Sequence, residues 1–202
     1  LLWDPKTHTV SHRLEGRGMG KGTAVAASDS LVAAACTALD VRLWRPDGTS
    51  VHQLPVRSAI NSVAFSVEGM LAAAAEGGLH VWPDPIRGGP KVTAGACLSV
   101  AFSPDGSRLA CGFRDGGVLI QKTADASFER KLQGDVNLLR SLAFSPDGNL
   151  LAASGNGPAV LLWTLEPPSR RELKDRGMGW IDAVAFTPDG KYVVSVGRDH
   201  HV

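Results

Sequence analysis

Short stretches of the chain alternate apolar and polar positions with a period of two, and the same stretches recur. In Ser62–Ser66, Val63 and Phe65 share one face, which is the pattern of a half-buried β-strand. Four segments repeat it: Ser62–Gly69, Ser99–Gly106, Ser141–Gly148 and Ala183–Gly190. The last three end in Ser/Thr-Pro-Asp-Gly, while Ser62–Gly69 has Val and Glu for the Pro and Asp; Ala24–Ser28 keeps the strand alone. Pro presets φ for the turn, Asp bonds its own backbone and Gly accepts a positive φ, so a hairpin is predicted at each. Small apolar second strands follow at Leu71–Ala75, Leu109–Gly112, Leu150–Ala153 and Tyr192–Ser195. After Gly- or Asp-bearing turns, third strands end in an apolar residue and Trp: Leu2-Trp3, Leu43-Trp44, Val81-Trp82 and Leu162-Trp163, with Ile120-Gln121 where the Trp is lost. Polar fourth strands are predicted at Val51–Leu54 and Arg170–Leu173. No stretch carries the periodicity and caps of a substantial helix, so the chain is all-β.

The second residues of these Trp landmarks step by 41, 38, 39 and 42 residues along a chain of 202. Two independent landmarks with one period mark a repeat protein of five units. Strands that are small or apolar on both faces lie between neighbouring sheets, and strands mixing Arg, His, Lys and Gln lie at a wet edge. A four-stranded sheet repeated every forty residues describes the blade of a β-propeller. Read end into beginning, Asp199 lies six residues before Trp3, the spacing from Glu76 to Trp82 and from Asp115 to Gln121. The N- and C-terminal strands are therefore expected to share one blade and close a five-bladed ring. The competing expectation, supported by the absence of an initial Met, is an excerpt of a longer propeller of seven blades. Residues 1–202 are read as a single propeller, or as that five-blade portion.

Composition narrows the function classes. Lys and Arg number 21 against 20 Asp and Glu, and 44% of residues are hydrophobic, as in ordinary globular chains. A balanced charge removes the simplest case for a nucleic-acid partner or an anionic membrane, and no apolar run is long enough to span a bilayer. Neither nucleic acid nor membrane is expected as a partner. Three Cys cannot form a disulfide framework, and reduced thiols with a cytoplasmic location are expected.

With the Ser-Pro-Asp-Gly turns and Leu-Trp strand ends in place, the chain resembles the WD-repeat β-propeller family over essentially all of its length. It departs from the family in having no Gly-His dipeptide. That slot reads Gly16-Arg17, Arg57-Ser58, Gly95-Ala96, Gly134-Asp135 and Arg176-Gly177. The family's Asp, His, Ser, Trp hydrogen-bond network cannot form in its usual way, so stability must lean on apolar packing. The tight-turn Asp is kept as Asp115 and Asp199, with Glu76 as a substitute.

Catalytic motifs are missing. His8 and His12 stand four apart, which on a strand separates them by about 13 Å. His200 and His201 would face opposite ways on a strand, and His52 and His80 stand alone. There is no Gly-x-Ser-x-Gly elbow, no His-Glu-x-x-His and no phosphate-cradling Gly-Lys-Ser/Thr. Cys36 and Cys111 read as small packing residues on second strands, Cys97 precedes a first strand, and nothing marks any of them as a nucleophile. No catalytic residue, cofactor or metal site is expected.

What remains is binding. The resemblance implies that partners meet the loops entering the first strand and joining the second to the third. These loops carry Arg17, Lys21, Arg57, Asn61, Arg114, Arg140, Trp180, Asp182 and Arg198. Arg and Trp are enriched at interface hot spots, and five Arg on one face would suit an acidic peptide or phosphopeptide through bidentate pairing. Trp180 stands out, because the same slot elsewhere holds Ala59, Ala96 or Leu138. The expected function is a non-catalytic protein–protein interaction scaffold for a protein or peptide partner. It would be monomeric if five blades close, and the resemblance implies the propeller part of a larger signalling protein. The alternative is a propeller hydrolase or lactonase with a channel metal.

Overall fold

A computed structural model describes residues 1–15, 18–93, 95–174 and 179–198. Every regular element in it is a β-strand, and no helix is long and apolar enough to cross a membrane. The chain divides into two compact units, Leu1–Gly95 and Ala96–Val202.

The first unit opens with a two-stranded sheet of β1 (Leu2–Asp4) and β2 (Thr9–His12). Two four-stranded antiparallel meanders follow. One holds β3 (Gly22–Ala27), β4 (Val32–Cys36), β5 (Asp40–Trp44) and β6 (Ser50–Pro55). The other holds β7 (Ile60–Phe65), β8 (Leu71–Ala75), β9 (Gly78–Trp82) and β10 (Lys91–Thr93). The alanine-rich second strands explain how these sheets stack. Ala33 and Ala35 of β4 and Ala73 and Ala75 of β8 are all fully buried, and they share one core with Val41, Leu43, Leu71 and Trp82. Side chains with no more than a methyl group let backbones approach closely while leaving no void for water.

The second unit repeats the meander twice. Its strands are β11 (Ser99–Phe102), β12 (Arg108–Gly112), β13 (Val118–Lys122) and β14 (Phe128–Leu132), then β15 (Asn137–Phe144), β16 (Leu150–Asn156), β17 (Val160–Thr164) and β18 (Ser169–Leu173). A two-stranded sheet of β19 (Ile181–Phe186) and β20 (Val193–Gly197) completes it. Ile120, Leu139, Leu151, Leu161 and Trp163 form the core between the two complete sheets.

The expected all-β architecture of four-stranded propeller blades is present. β1–β2 and β19–β20 are separate two-stranded sheets, one in each unit, at the positions where the sequence repeat expects the third and fourth and the first and second strands of a blade. The residues that would close the ring, Asp199–Val202, lie outside the described residues. Trp44, Trp82 and Trp163 are buried, while Trp3 in the two-stranded sheet is 62% exposed. Gln121 fills the Trp slot of its sheet and is buried there.

The turns behave as their sequences require. Ser103 Oγ donates to Asp105 Oδ1, and that carboxylate also accepts the Ser107 amide at 3.0 Å and the Ser107 hydroxyl at 2.7 Å. Ser145 with Asp147 and Thr187 with Asp189 repeat the arrangement. These donors hold all three carboxyls below the ordinary range, led in each by the Ser or Thr hydroxyl, with Asp105 lowered to about 2. Asp115 accepts the Gly117 amide at 2.9 Å, so it caps its own turn in a chain that has no Gly-His.

The cysteine expectation needs correction. Cys97 and Cys111 form a disulfide, with Cα atoms 6.1 Å apart, and Cys36 alone is free. They stand 14 residues apart in sequence, and the β11–β12 hairpin folds one strand back on the other. The argument from reduced thiols to a cytoplasmic location loses its footing.

Candidate functional site

The first strands of the sheets carry a recurring irregularity. Ile60 pairs with Ala75 but Ser62 with Ala74, leaving Asn61 as an extra residue. Ile181 pairs with Gly197 but Ala183 with Val196, leaving Asp182 extra. In β15, Asn137 pairs with Asn156 and Ser141 with Ser154, so Leu138, Leu139 and Arg140 face Gly155 alone. Thr23 is the extra residue of β3, and β11 has none. Such bulges bend a strand and re-aim its side chains. Three of the sequence-predicted residues, Asn61, Arg140 and Asp182, occupy these positions.

In the second unit two bulges lie side by side. Ser141 Oγ accepts the Val184 amide at 3.3 Å and lies 3.5 Å from the Val184 carbonyl, which pins β15 to β19. Arg140 Nη1 therefore reaches Asp182 Oδ1 at 3.3 Å. The Arg140 Nε–H donates to Asn156 Oδ1 at 2.8 Å, fixing the guanidinium at both ends. The other Asp182 oxygen lies 3.6 Å from Arg198 Nε. Both guanidinium carbons stand over the Trp180 ring, Arg198 at 4.8 Å and Arg140 at 5.7 Å from the centroid. Trp180 remains 45% exposed.

Two glycines let this assembly form. A Cβ on Gly197 would lie 2.3 Å from the Trp180 carbonyl oxygen, and one on Gly155 would lie 2.8 Å from both the Asn137 and Leu138 oxygens. Only hydrogen fits at these approaches. The residues after them, Arg198 and Asn156, are thereby brought under the neighbouring loops, and the Arg198 amide donates to the Trp180 carbonyl at 2.9 Å. Leu138 takes a positive φ of 52° in the same region, a conformation that costs a non-glycine residue free energy and tends to occur at functional sites.

Four of the predicted residues thus come together: Arg140, Trp180, Asp182 and Arg198. Arg114 is exposed in the β12–β13 turn, where its carbonyl accepts the Leu138 amide, and it takes no part in the cluster's ion pairs or ring contacts. Arg57 and Asn61 belong to the first unit. Both are exposed, and Arg57 has φ 65°. Lys21 is exposed in the same unit, its amide bonded to Thr37 Oγ1. Arg17 lies outside the described residues. Sequence reasoning missed Asn156, Gly155 and Gly197. The signal available was the Gly-Asn and Gly-Arg pair at matching points after two second strands.

Among the described residues no three His, Cys, Asp or Glu side chains gather as metal ligands would. His80 is buried with its Nδ1 unbonded, stacked on Trp82 at 5.7 Å, and burial pushes its pKa down.

Repeated four-stranded meanders, close-packed through small second strands, define a propeller-type repeat protein with exposed bulge residues at one end of its sheets. The family model described as "WD domain, G-beta repeat" matches residues 89–120, 127–164 and 171–202, just over half of the chain, and the chain belongs to that family. The first two matched segments begin near the outer strand of one sheet and run to the third strand of the next, β10 to β13 and β14 to β17, so the sequence repeat is offset by one strand from the sheet. No curated protein matches the chain. WD repeats point to a protein-interaction scaffold.

Proposed function

We propose that this chain is the non-catalytic, partner-binding part of a larger signalling protein, and that it docks an acidic peptide or protein segment at the cluster around Trp180. The observation that carries this reading is the convergence of Arg140, Trp180, Asp182 and Arg198 from two neighbouring sheets onto one exposed patch. Trp and Arg are the side chains that most often dominate binding energy. Loops held by a rigid sheet scaffold are where recognition residues concentrate. Two guanidiniums against one carboxylate leave the cluster with a net positive charge, which favours an acidic partner.

The test is affinity capture by the intact protein, followed by the same capture with Trp180→Ala and Arg140→Ala combined. A hot-spot pair should cost at least about 2 kcal/mol, roughly thirtyfold in affinity, so specific partners should drop out. Arg57→Ala combined with Arg114→Ala serves as a control and should retain them. Undiminished capture of every partner by the Trp180/Arg140 variant would refute this assignment, and loss in the control alone would move the site elsewhere.

A further inference from the structure

The cluster contains its own anion. Asp182 touches both guanidiniums, through Arg140 Nη1 and Arg198 Nε. Its contacts consume one side of each group. Arg140 is also held by Asn156, which leaves only its Nη2 uncommitted among the described residues. Arg198 is held at Nε and over the indole, and neither of its Nη atoms has a partner among the described residues. Among the described residues, the end-on edge of Arg198, two nitrogens with four N–H groups, is therefore oriented and unoccupied. That edge matches an incoming planar carboxylate bidentately.

We infer that Asp182 makes this a site for a carboxylate, from an Asp, a Glu or a chain terminus of the partner, and sets it against a phosphorylated side chain. The inference rests on the proposed docking role of the Trp180 cluster and adds the chemical class of the group it takes. Arg140, Arg198 and Asp182 together carry one net positive charge, which a single carboxylate neutralises. A phosphoserine brings close to two negative charges at neutral pH, and the second meets the fixed Asp182 carboxylate with no cation left to balance it. Asp182 thus both orients the guanidiniums and penalises the more highly charged ligand, a repulsive element of the kind that specificity requires. The exposed Trp180 face offers apolar cover for the residue next to the acidic one.

The test uses the full chain and two peptides that differ at one position, acetyl-Leu-Glu-Leu-amide and acetyl-Leu-phosphoserine-Leu-amide. Binding is read from the indole N–H resonance of Trp180, assigned by its disappearance in Trp180→Phe. The glutamate peptide should bind the unmodified protein more tightly. A like charge held about one ion-pair distance beyond the ligand at a solvent-screened surface is worth roughly three- to tenfold. Asp182→Asn, which keeps an oxygen for the guanidiniums, should strengthen phosphoserine binding by about that factor and erase the preference. Tighter phosphoserine binding by the unmodified protein, or an Asp182→Asn protein that keeps the full preference for the glutamate peptide, would overturn the carboxylate assignment while leaving the docking role standing. No perturbation of Trp180 by either peptide would overturn both. The comparison on the unmodified protein decides the matter even where the variant folds poorly.

Discussion

Gly197 ends β20 beneath the backbone of Trp180, and replacing it with Ala probes how the site is built. The added methyl carbon would start 2.3 Å from the Trp180 carbonyl oxygen and 3.2 Å from the Ile181 Cα. Both neighbours are backbone, so no rotamer change relieves the contact, and the strands must part by about 1 Å to reach ordinary van der Waals separation. That movement breaks the 2.9 Å bond from the Arg198 amide to the Trp180 carbonyl, which is worth about 1 kcal/mol. Overpacking strain adds about 1–3 kcal/mol, so Gly197→Ala should lower stability by roughly 2–4 kcal/mol. It should also lift the Arg198 guanidinium off the indole, seen as a shift of the Trp180 side-chain N–H resonance. Urea denaturation gives the first quantity. Gly89→Ala is the control, because a Cβ there meets nothing within 4 Å. A Gly197→Ala protein with an unchanged urea midpoint and an unchanged Trp180 resonance would show that the close approach does not hold the site together.

Three further predictions concern the scaffold. The turn carboxylates of Asp105, Asp147 and Asp189 are lowered on folding, so their stabilisation is complete above the unfolded pKa near about 4 and fades as pH falls through the folded values. Asp105→Asn should lower the urea midpoint at pH 7 and flatten its fall between about pH 4 and 2; an unchanged slope refutes the turn assignment. His80 is also lowered, by burial, so the unfolded chain takes up the proton first and stability should fall as pH drops below about 6.5. His80→Phe should remove that part of the pH dependence, and a thermal melt series from pH 7 to 5 reads it. Under denaturing, non-reducing conditions one thiol, Cys36, should react with a thiol reagent, because Cys97 and Cys111 are paired; three reactive thiols would refute the pairing.

The strands were legible because their signals are local. The second strand predicted at Leu71–Ala75 is β8 to the residue, and Val51–Leu54 and Arg170–Leu173 fall inside β6 and β18. Period-two alternation and Ser-Pro-Asp-Gly turns act within a few residues, so the chain states them directly. The candidate site was legible by residue type. Arg140, Trp180, Asp182 and Arg198 could be named, but not their convergence, nor that Asp182 would stand between two of the arginines that were expected to act together. The bulges at Arg140 and Asp182 depend on where two strands lose register, and the partnership of Asn156 with Arg140 depends on Gly155 admitting a neighbouring carbonyl. The disulfide was missed for a similar reason, since a hairpin's register decides which of its residues face one another. The sequence by itself determined the repeat, the strand order and the turn chemistry, which follow from interactions between near neighbours in the chain. Only the tertiary structure decided which loops share a patch, because that depends on the contact between sheets, where sub-ångström packing of small residues sets what touches what.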